Sequence, residues 1–232
     1  MRRTLLSDRH GQRVWREMRG DKSVIVREGK TPRIGVHAAI LRELEGQGIS
    51  PRLIEEGEGF SVEEDLGGAV LRSAPLTIEE KVAGMVHPLK VLHGFQRSVP
   101  EFKELIFERY RPFFEQVEEE AKWLYDHFPA AGPSVLLHGS CSFNNALYSR
   151  GKVYLVDFCD SYPGPKECDL GSLFLAEFFD KRLLPEGYDR KKTFFFAALY
   201  AVKQLGKLPN APLKRVLEER LAYLKQWYRE ME

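Results

Sequence analysis

Residues 136–161, LLHGSCSFNNALYSRGKVYLVDFCDS, decide the fold. Leu136 and Leu137 predict a strand. A polar loop with two asparagines follows, then a hairpin turning at Ser149-Arg150-Gly151-Lys152, then "VYLV", apolar enough for a buried strand. Asp157 ends that strand, so its carboxylate is expected at a strand end in a cleft. The hairpin joins it to Asn145 in the preceding loop. One amide oxygen and one carboxylate converging on a site suit Mg²⁺, which takes few protein ligands and keeps substrate phosphates as the others. Taken alone, each residue serves equally well as a turn amide or a capping carboxylate.

Outward from this stretch, the first seventy residues read as a small sheet carrying one helix. "RVWREMRGDKSVIVRE" is two β-prone runs around a Gly-Asp turn. "VHAAILRELEGQG" places Val36, Ile40, Leu41 and Leu44 on one helical face, and Gly46 and Gly48 stop it. "PRLIEEGEGFSVEEDLGG" is a second hairpin turning at Gly57-Glu58-Gly59, with Gly67-Gly68 a candidate hinge. The rest is mostly helical. Thr77 with Glu80, and Ser98 with Glu101, have the spacing of capping boxes. Pro88 and Pro112 are expected to kink or interrupt their helices. Phe113, Val117, Leu124 and Phe128 continue a stripe, and the last helix is expected to bury Leu213, Val216, Leu217, Leu221, Leu224 and Tyr228.

The chain has 232 residues, 43% hydrophobic and 30% charged, with a formal net charge of +1. That near-neutral balance gives no argument for nucleic-acid binding. Charge is uneven: residues 1–33 hold ten basic and four acidic residues, and residues 34–65 two and eight. Solvated faces or a basic sheet facing phosphates would both account for it. Cys141, Cys159 and Cys168 are odd in number and lack CxxC spacing, so buried thiols are expected rather than disulfides or zinc. No run approaches the length of a membrane span, and the basic N-terminus lacks the apolar core of a signal peptide, so a cytoplasmic location is the expectation.

The quoted residues resemble the aminoglycoside phosphotransferase and choline kinase family, of protein-kinase-like fold. That family's loop reads H-G-D-x-x-x-x-N, followed after a hairpin by an apolar strand, D-[FW]-x-D, and a second aspartate opening a D-L helix. "HGSCSFNN" supplies His138, Gly139 and Asn145 in register; "VDFCD" supplies Asp157, Phe158 and Asp160; "CDLGSLF" supplies Asp169. "FSVEEDLGG" is similar to the family's hinge, and "PLKVLHGF" to its Leu-His helix. The resemblance implies a bilobal α+β kinase-like fold, with an N-terminal lobe over residues 1–68, a mainly helical lobe over 69–232, and the site between them.

It further implies ATP and Mg²⁺ as cofactors, with Asn145 and Asp157 as metal ligands. Arg27 would contact phosphates where the family has a lysine. Glu64, Asp65 and Leu66, with Glu63, would present backbone groups to adenine. His138 would hold the loop, and Asp169 would brace the loop backbone. The acceptor would be a hydroxyl of a small molecule, sugar or lipid headgroup.

The sequence also departs from that pattern. Arg27 replaces lysine, which keeps the charge and alters its geometry. His37 stands where a glutamate partner for that cation would sit, with Glu43 elsewhere on the helix. No glycine-rich phosphate loop is visible. Ser140 occupies the place of the aspartate that accepts the acceptor's proton. Losing such a base forgoes about 10²–10⁴-fold in rate, or roughly 3–5.5 kcal/mol. Asp160 is either a substitute carboxylate or a turn residue. Two functions therefore follow: a phosphotransferase with an atypical loop, or an impaired pseudokinase that binds nucleotide or a protein partner. A serine hydrolase is not supported, because the G-x-S-x-G elbow is absent.

Overall fold

The computed structural model describes residues 2–9, 11–29, 32–99, 101–130, 132–207 and 212–231. In chain order the elements are β1 (Arg3–Arg9), β2 (Gln12–Arg19), β3 (Lys22–Gly29), α1 (Pro32–Glu43), β4 (Leu53–Gly57), β5 (Phe60–Glu64), β6 (Ala69–Val70), α2 (Ile78–Leu92) and β7 (Gln96–Arg97). They continue with α3 (Phe102–Phe114), α4 (Glu118–Asp126), β8 (Ser134–Leu137), β9 (Ala146–Ser149), β10 (Lys152–Leu155), β11 (Tyr162–Gly164), α5 (Glu167–Leu173), α6 (Arg190–Leu205) and α7 (Pro212–Arg229). The architecture is α+β, with an antiparallel sheet first and helices after it. The chain forms two compact units, Met1–Leu92 with His138–Tyr162, and His93–Leu137 with Pro163–Glu232. The expected lobe boundary at residue 68 falls inside the first of them.

The first unit is built on a five-stranded sheet, ordered β1-β2-β3-β5-β4. Both expected hairpins are present. β1 is an addition: its residues are almost all exposed, so no buried alternation marks it as a strand. Alternation along β3 and β5 gives the sheet two different faces. Val24, Val26 and Val62 share one face in an apolar cluster with Trp15 and Phe60. Arg27 and Glu63 lie on the other.

Helix α1 buries Ile34, His37, Ala38, Ile40 and Leu41. Val36, expected on the buried face, is 37% exposed, and His37 takes the inward place at 0%. The spacing 34-37-38-41 is helical, but a histidine interrupts its apolar signal. The N-terminal basic residues are largely spent in ion pairs along the sheet: Arg3 with Glu17 and Glu28, Arg19 with Glu17 and Glu55, and Arg16 with Asp65.

Helix α2 opens on a capping box. The Thr77 N–H donates to Glu80 Oε2 at 2.8 Å, and the Glu80 N–H to Thr77 Oγ1 at 3.2 Å. Ser98 and Glu101 form no such box; Glu101 caps α3 with a left-handed backbone, φ 58°, and no side-chain cap bond. Pro112 lies inside α3, which ends two residues later, and α4 begins at Glu118.

The second unit centres on α6, which buries 11 of its residues against the neighbouring helices. Phe195 and Phe128 pack with ring centroids 5.3 Å apart, and Phe102, Trp123 and Tyr228 extend the cluster. Phe102 and Phe195, the buried phenylalanines of this group, contribute about 1.5–3 kcal/mol each. Helix α7 buries Leu217, Leu221, Leu224 and Tyr228, whereas Leu213 and Val216 are 52% and 41% exposed. The expected stripe therefore starts one turn too early. Among the described residues, no helix is long and apolar enough to cross a membrane.

Candidate active site

In the first unit, the hairpin β9–β10 pairs Ala146 with Leu155, and the Val156 N–H donates to the Asn145 carbonyl at 3.0 Å. The loop asparagine and the strand-end aspartate are therefore brought side by side by backbone pairing. His138 Nε2 donates to the Val156 carbonyl at 2.9 Å, and its ring lies 5.0 Å from that of Phe158. The histidine thus ties the start of the loop to the strand end. Gly139 has φ 81°, and a Cβ there would sit 2.0 Å from the Asp160 carbonyl oxygen. Only glycine lets the loop lie so close to the turn after Asp157.

Asp157 itself has φ 65° and ψ 65°. A non-glycine residue held there costs about 1–3 kcal/mol and persists only where its surroundings fix it. The fixing bonds are on both sides: Val156 is held by Asn145 and His138, and the Phe158 N–H donates to His37 Nδ1 at 3.2 Å. Although the Asp157 side chain is 41% exposed, its Oδ1 is buried and has no hydrogen-bond partner among the described residues. Arg27 Nη1 lies 3.5 Å from it. Burial pushes this carboxyl up, but the Arg27 guanidinium and then the Cys159 thiol more than offset that and hold it below the ordinary value.

The Asn145 side chain is oriented by Ser140. Its Nδ2 donates to the Ser140 carbonyl at 2.8 Å and to Ser140 Oγ at 2.9 Å. A carbonyl can only accept, so the nitrogen faces Ser140 and the amide oxygen is left for another partner. Ser140 Oγ accepts that bond and still carries a proton to donate. The Asp160 carboxylate pairs with Arg33.

Arg27 is nearly buried, with Nε donating to Glu63 Oε1 at 3.1 Å. Neither His37 nor Glu43 is its carboxylate partner; that role falls to the strand residue Glu63. Burial raises the Glu63 carboxyl, and the opposing pull of Arg27 and His37 leaves it below its usual value. At the hinge, the Asp65 carboxylate accepts from Ser23 Oγ at 2.6 Å and the Gly67 N–H at 3.1 Å, and pairs with Arg16 at 2.7 Å. The Glu64 N–H donates to the Arg52 carbonyl, and the Leu66 carbonyl accepts from Ser149 Oγ. These bonds fix the backbone from Glu64 to Gly67.

A cavity of about 420 Å³ is lined by Arg27, Glu63–Gly68, Asn145 and Asp157, among others. All of these residues belong to the first unit. The hard oxygens of Asn145 and Asp157, one of them buried without a hydrogen bond, fit Mg²⁺. All three cysteines are buried, and none is in a disulfide. Cys159 donates to Gln12 Oε1, and burial, then Asp157, push its thiol up to about 12.

Asp169 lies in the second unit, fully buried. Its Oδ2 accepts from His93 Nε2 at 3.1 Å, and His93 Nδ1 is hydrogen-bonded with the Tyr188 hydroxyl at 3.1 Å. His93 comes from the "PLKVLHGF" segment, so two motifs singled out separately in the sequence meet here.

Sequence reasoning missed Glu63 as the partner of Arg27. The two are diagonal across β3 and β5, which requires the strand register to see.

The sequence matches the family model described as "Phosphotransferase enzyme family" over residues 3–205. No curated protein matches it. Among solved structures, a choline kinase from Streptococcus pneumoniae is similar at 16% identity, with 98% of this chain and 94% of that one covered and a TM-score of 0.72. A thermostable mutant of the aminoglycoside phosphotransferase APH(4)-Ia is similar at 14% identity, covering 97% and 94%, with a TM-score of 0.66. Another mutant of the same enzyme, in ternary complex with ADP and hygromycin B, covers 96% and 92% at 14% identity and a TM-score of 0.65. The fold is that of these proteins, the protein-kinase-like fold.

Proposed function

The chain belongs to the phosphotransferase enzyme family, and from that premise we propose that it binds ATP with Mg²⁺ and transfers the γ-phosphoryl group to a hydroxyl of a small molecule, sugar or lipid headgroup. The observation that carries the reading is the oriented oxygen pair. Ser140 takes both contacts of the Asn145 amide nitrogen, and the buried Asp157 Oδ1 has no hydrogen-bond partner among the described residues, with the Arg27 cation 3.5 Å away. A protein needing only the shape of the fold has no physical use for such a pair.

In this reading Asn145 and Asp157 hold Mg²⁺, whose charge offsets that of the phosphates. Arg27 contacts the phosphates, and the backbone of residues 63–66 meets the adenine in the 420 Å³ cavity. Residues 1–68 supply the nucleotide-binding sheet, and residues 69–232 the catalytic loop. His138 holds the loop through the Val156 carbonyl. Asp169 is a buried structural acid.

Ser140 cannot take the acceptor's proton as a carboxylate would; it orients Asn145 and offers a hydroxyl donor. Asp160 is the nearest candidate substitute in the sequence, and its charge is already engaged by Arg33. Phosphoryl transfer runs largely through a loose transition state, so positioning and charge neutralisation supply most of the acceleration. Turnover is expected to be slow by the roughly 10²–10⁴-fold that a general base provides.

The test is transfer of labelled γ-phosphate, with Mg²⁺ or Mn²⁺, to a panel that includes choline, ethanolamine, hygromycin B, sugars and lipid headgroups. Phosphorylation of one acceptor supports the reading. ATP binding with no transfer to any of them contradicts it and favours a nucleotide-binding module.

A further inference from the structure

Arg27 on β3 and Glu63 on β5 are joined by the register of the sheet. Ile25 pairs with Glu63 and Arg27 with Ser61, so Arg27 and Glu63 rise from one face as diagonal neighbours. That separation suits two long side chains. Arg27 is 6% exposed, Glu63 2% and His37 0%. Burying these charges demands that every one be paired.

The bonding is complete along one path. Arg27 Nε donates to Glu63 Oε1 at 3.1 Å, and Glu63 Oε2 lies 2.8 Å from His37 Nε2. His37 Nδ1 accepts the Phe158 N–H at 3.2 Å. A backbone N–H only donates, so Nδ1 presents its lone pair and the ring hydrogen sits on Nε2, aimed at Glu63. Both oxygens of Glu63 and both nitrogens of His37 are therefore used. The path ends at the residue after Asp157, whose carboxylate faces the other end of the same guanidinium at 3.5 Å.

We propose that Glu63 is the positioning residue that holds Arg27 toward the nucleotide phosphates, and that His37 ties it to the Asp157–Phe158 turn. This rests on the kinase reading above and deepens it. The carboxylate that orients the phosphate-binding cation lies on strand β5 rather than on helix α1, and the helix contributes a histidine that links strand to turn. Glu63 also divides the charge of Arg27 between two carboxylates. Without it, Asp157 is the carboxylate left facing the guanidinium at 3.5 Å, and Mg²⁺ would have to compete with Arg27 for its ligand.

The experiment is calorimetric titration of wild type, Glu63→Gln, Arg27→Gln and the Arg27→Gln/Glu63→Gln double variant with ATP at several Mg²⁺ concentrations, and with adenosine. Glu63→Gln is expected to weaken Mg²⁺-dependent ATP binding about 10- to 100-fold, the scale of a lost charged hydrogen bond. It should also need more Mg²⁺ for half-maximal binding, and ATP affinity should fall by a larger factor than adenosine affinity. The double variant removes both buried charges together, which protects folding. It should bind ATP as Arg27→Gln does, because Glu63 acts only through Arg27.

Unchanged ATP affinity in Glu63→Gln overturns the inference. So does a parallel loss of ATP and adenosine binding, which marks a purely structural role, or a double variant weaker than Arg27→Gln. A wild type that binds adenosine and not ATP, or neither, overturns the kinase reading itself, and this inference with it.

Discussion

Substituting Gly139 by alanine should distort the candidate catalytic loop far more than the same change at another glycine of similar backbone. Gly139 and Gly46 have φ of +81° and +79°. Alanine in that left-handed region costs about 1–2 kcal/mol at either site, and restricting the unfolded chain returns about 0.4–1 kcal/mol. Around Gly46 a new Cβ would meet nothing within 4 Å. At Gly139 it would lie 2.0 Å from the Asp160 carbonyl oxygen, 2.7 Å from its carbon and 3.0 Å from Tyr162 Cδ1. Two of these atoms are backbone and cannot rotate aside, so the loop must move, at a further cost of about 1–3 kcal/mol.

The net expectation is about 0–1.6 kcal/mol for Gly46→Ala and about 1–4.6 kcal/mol for Gly139→Ala. With about 2–4 °C per kcal/mol for a chain of this size, Tm falls by up to about 6 °C in the first and by about 2–18 °C in the second, the excess being the contribution of the close approach. Thermal melts followed by circular dichroism read both variants under one condition. ATP titration of the folded Gly139→Ala protein should also show weakened Mg²⁺ dependence, because the loop carries Ser140 and Asn145. Equal melting shifts in the two variants refute the close approach of loop and turn.

Two further predictions concern charge. The Asp65 carboxyl is pushed up by burial but held below its ordinary 3.8 by Ser23, the Gly67 N–H and Arg16. A depressed folded value stabilises the fold fully above the unfolded value and is lost as pH falls through the folded one. The Tm deficit of Asp65→Asn at pH 7 should therefore shrink as pH drops below about 3.8, and a deficit independent of pH contradicts the assignment. In the second unit, Asp169→Asn replaces the buried charged acceptor of the His93 Nε2–H by an amide and should cost about 1.5–3 kcal/mol, the scale of a hydrogen bond to a charged group. The His93→Gln/Asp169→Asn double variant should lose less than the sum of the single variants in urea unfolding, and strict additivity contradicts their coupling.

Much of the fold was legible because its signals are local. Apolar alternation and glycine turns mark β2, β3, β4 and β5, and Thr77 with Glu80 marks the start of α2 to the residue. The errors arise where tertiary context overrides the local pattern. β1 is an exposed edge strand with no buried face, and α1 carries a buried histidine where an apolar residue was expected. The first turn of α7 is amphipathic in sequence yet faces outward. Ser98 and Glu101 have the spacing of a capping box and make none, since Glu101 adopts the left-handed backbone that ends the preceding loop.

At the candidate site, Asn145 and Asp157 were legible as neighbours because one short hairpin joins their segments. Glu63 was not legible as the partner of Arg27, because 36 residues separate the two and only the register of β3 against β5 brings them together. The second contact of Ser140, to the Asn145 amide, also needed coordinates. Sequence shows a serine where a proton acceptor is wanted. The structure adds that this serine orients the amide beside Asp157.

The most direct test is calorimetric titration of ATP into wild type and Asp157→Ala, with and without Mg²⁺. Binding that requires Mg²⁺ in the wild type and is abolished in the variant is the result this account predicts. Binding that is indifferent to Mg²⁺, or equal in the two proteins, contradicts the assignment of Asn145 and Asp157 as the metal-holding pair.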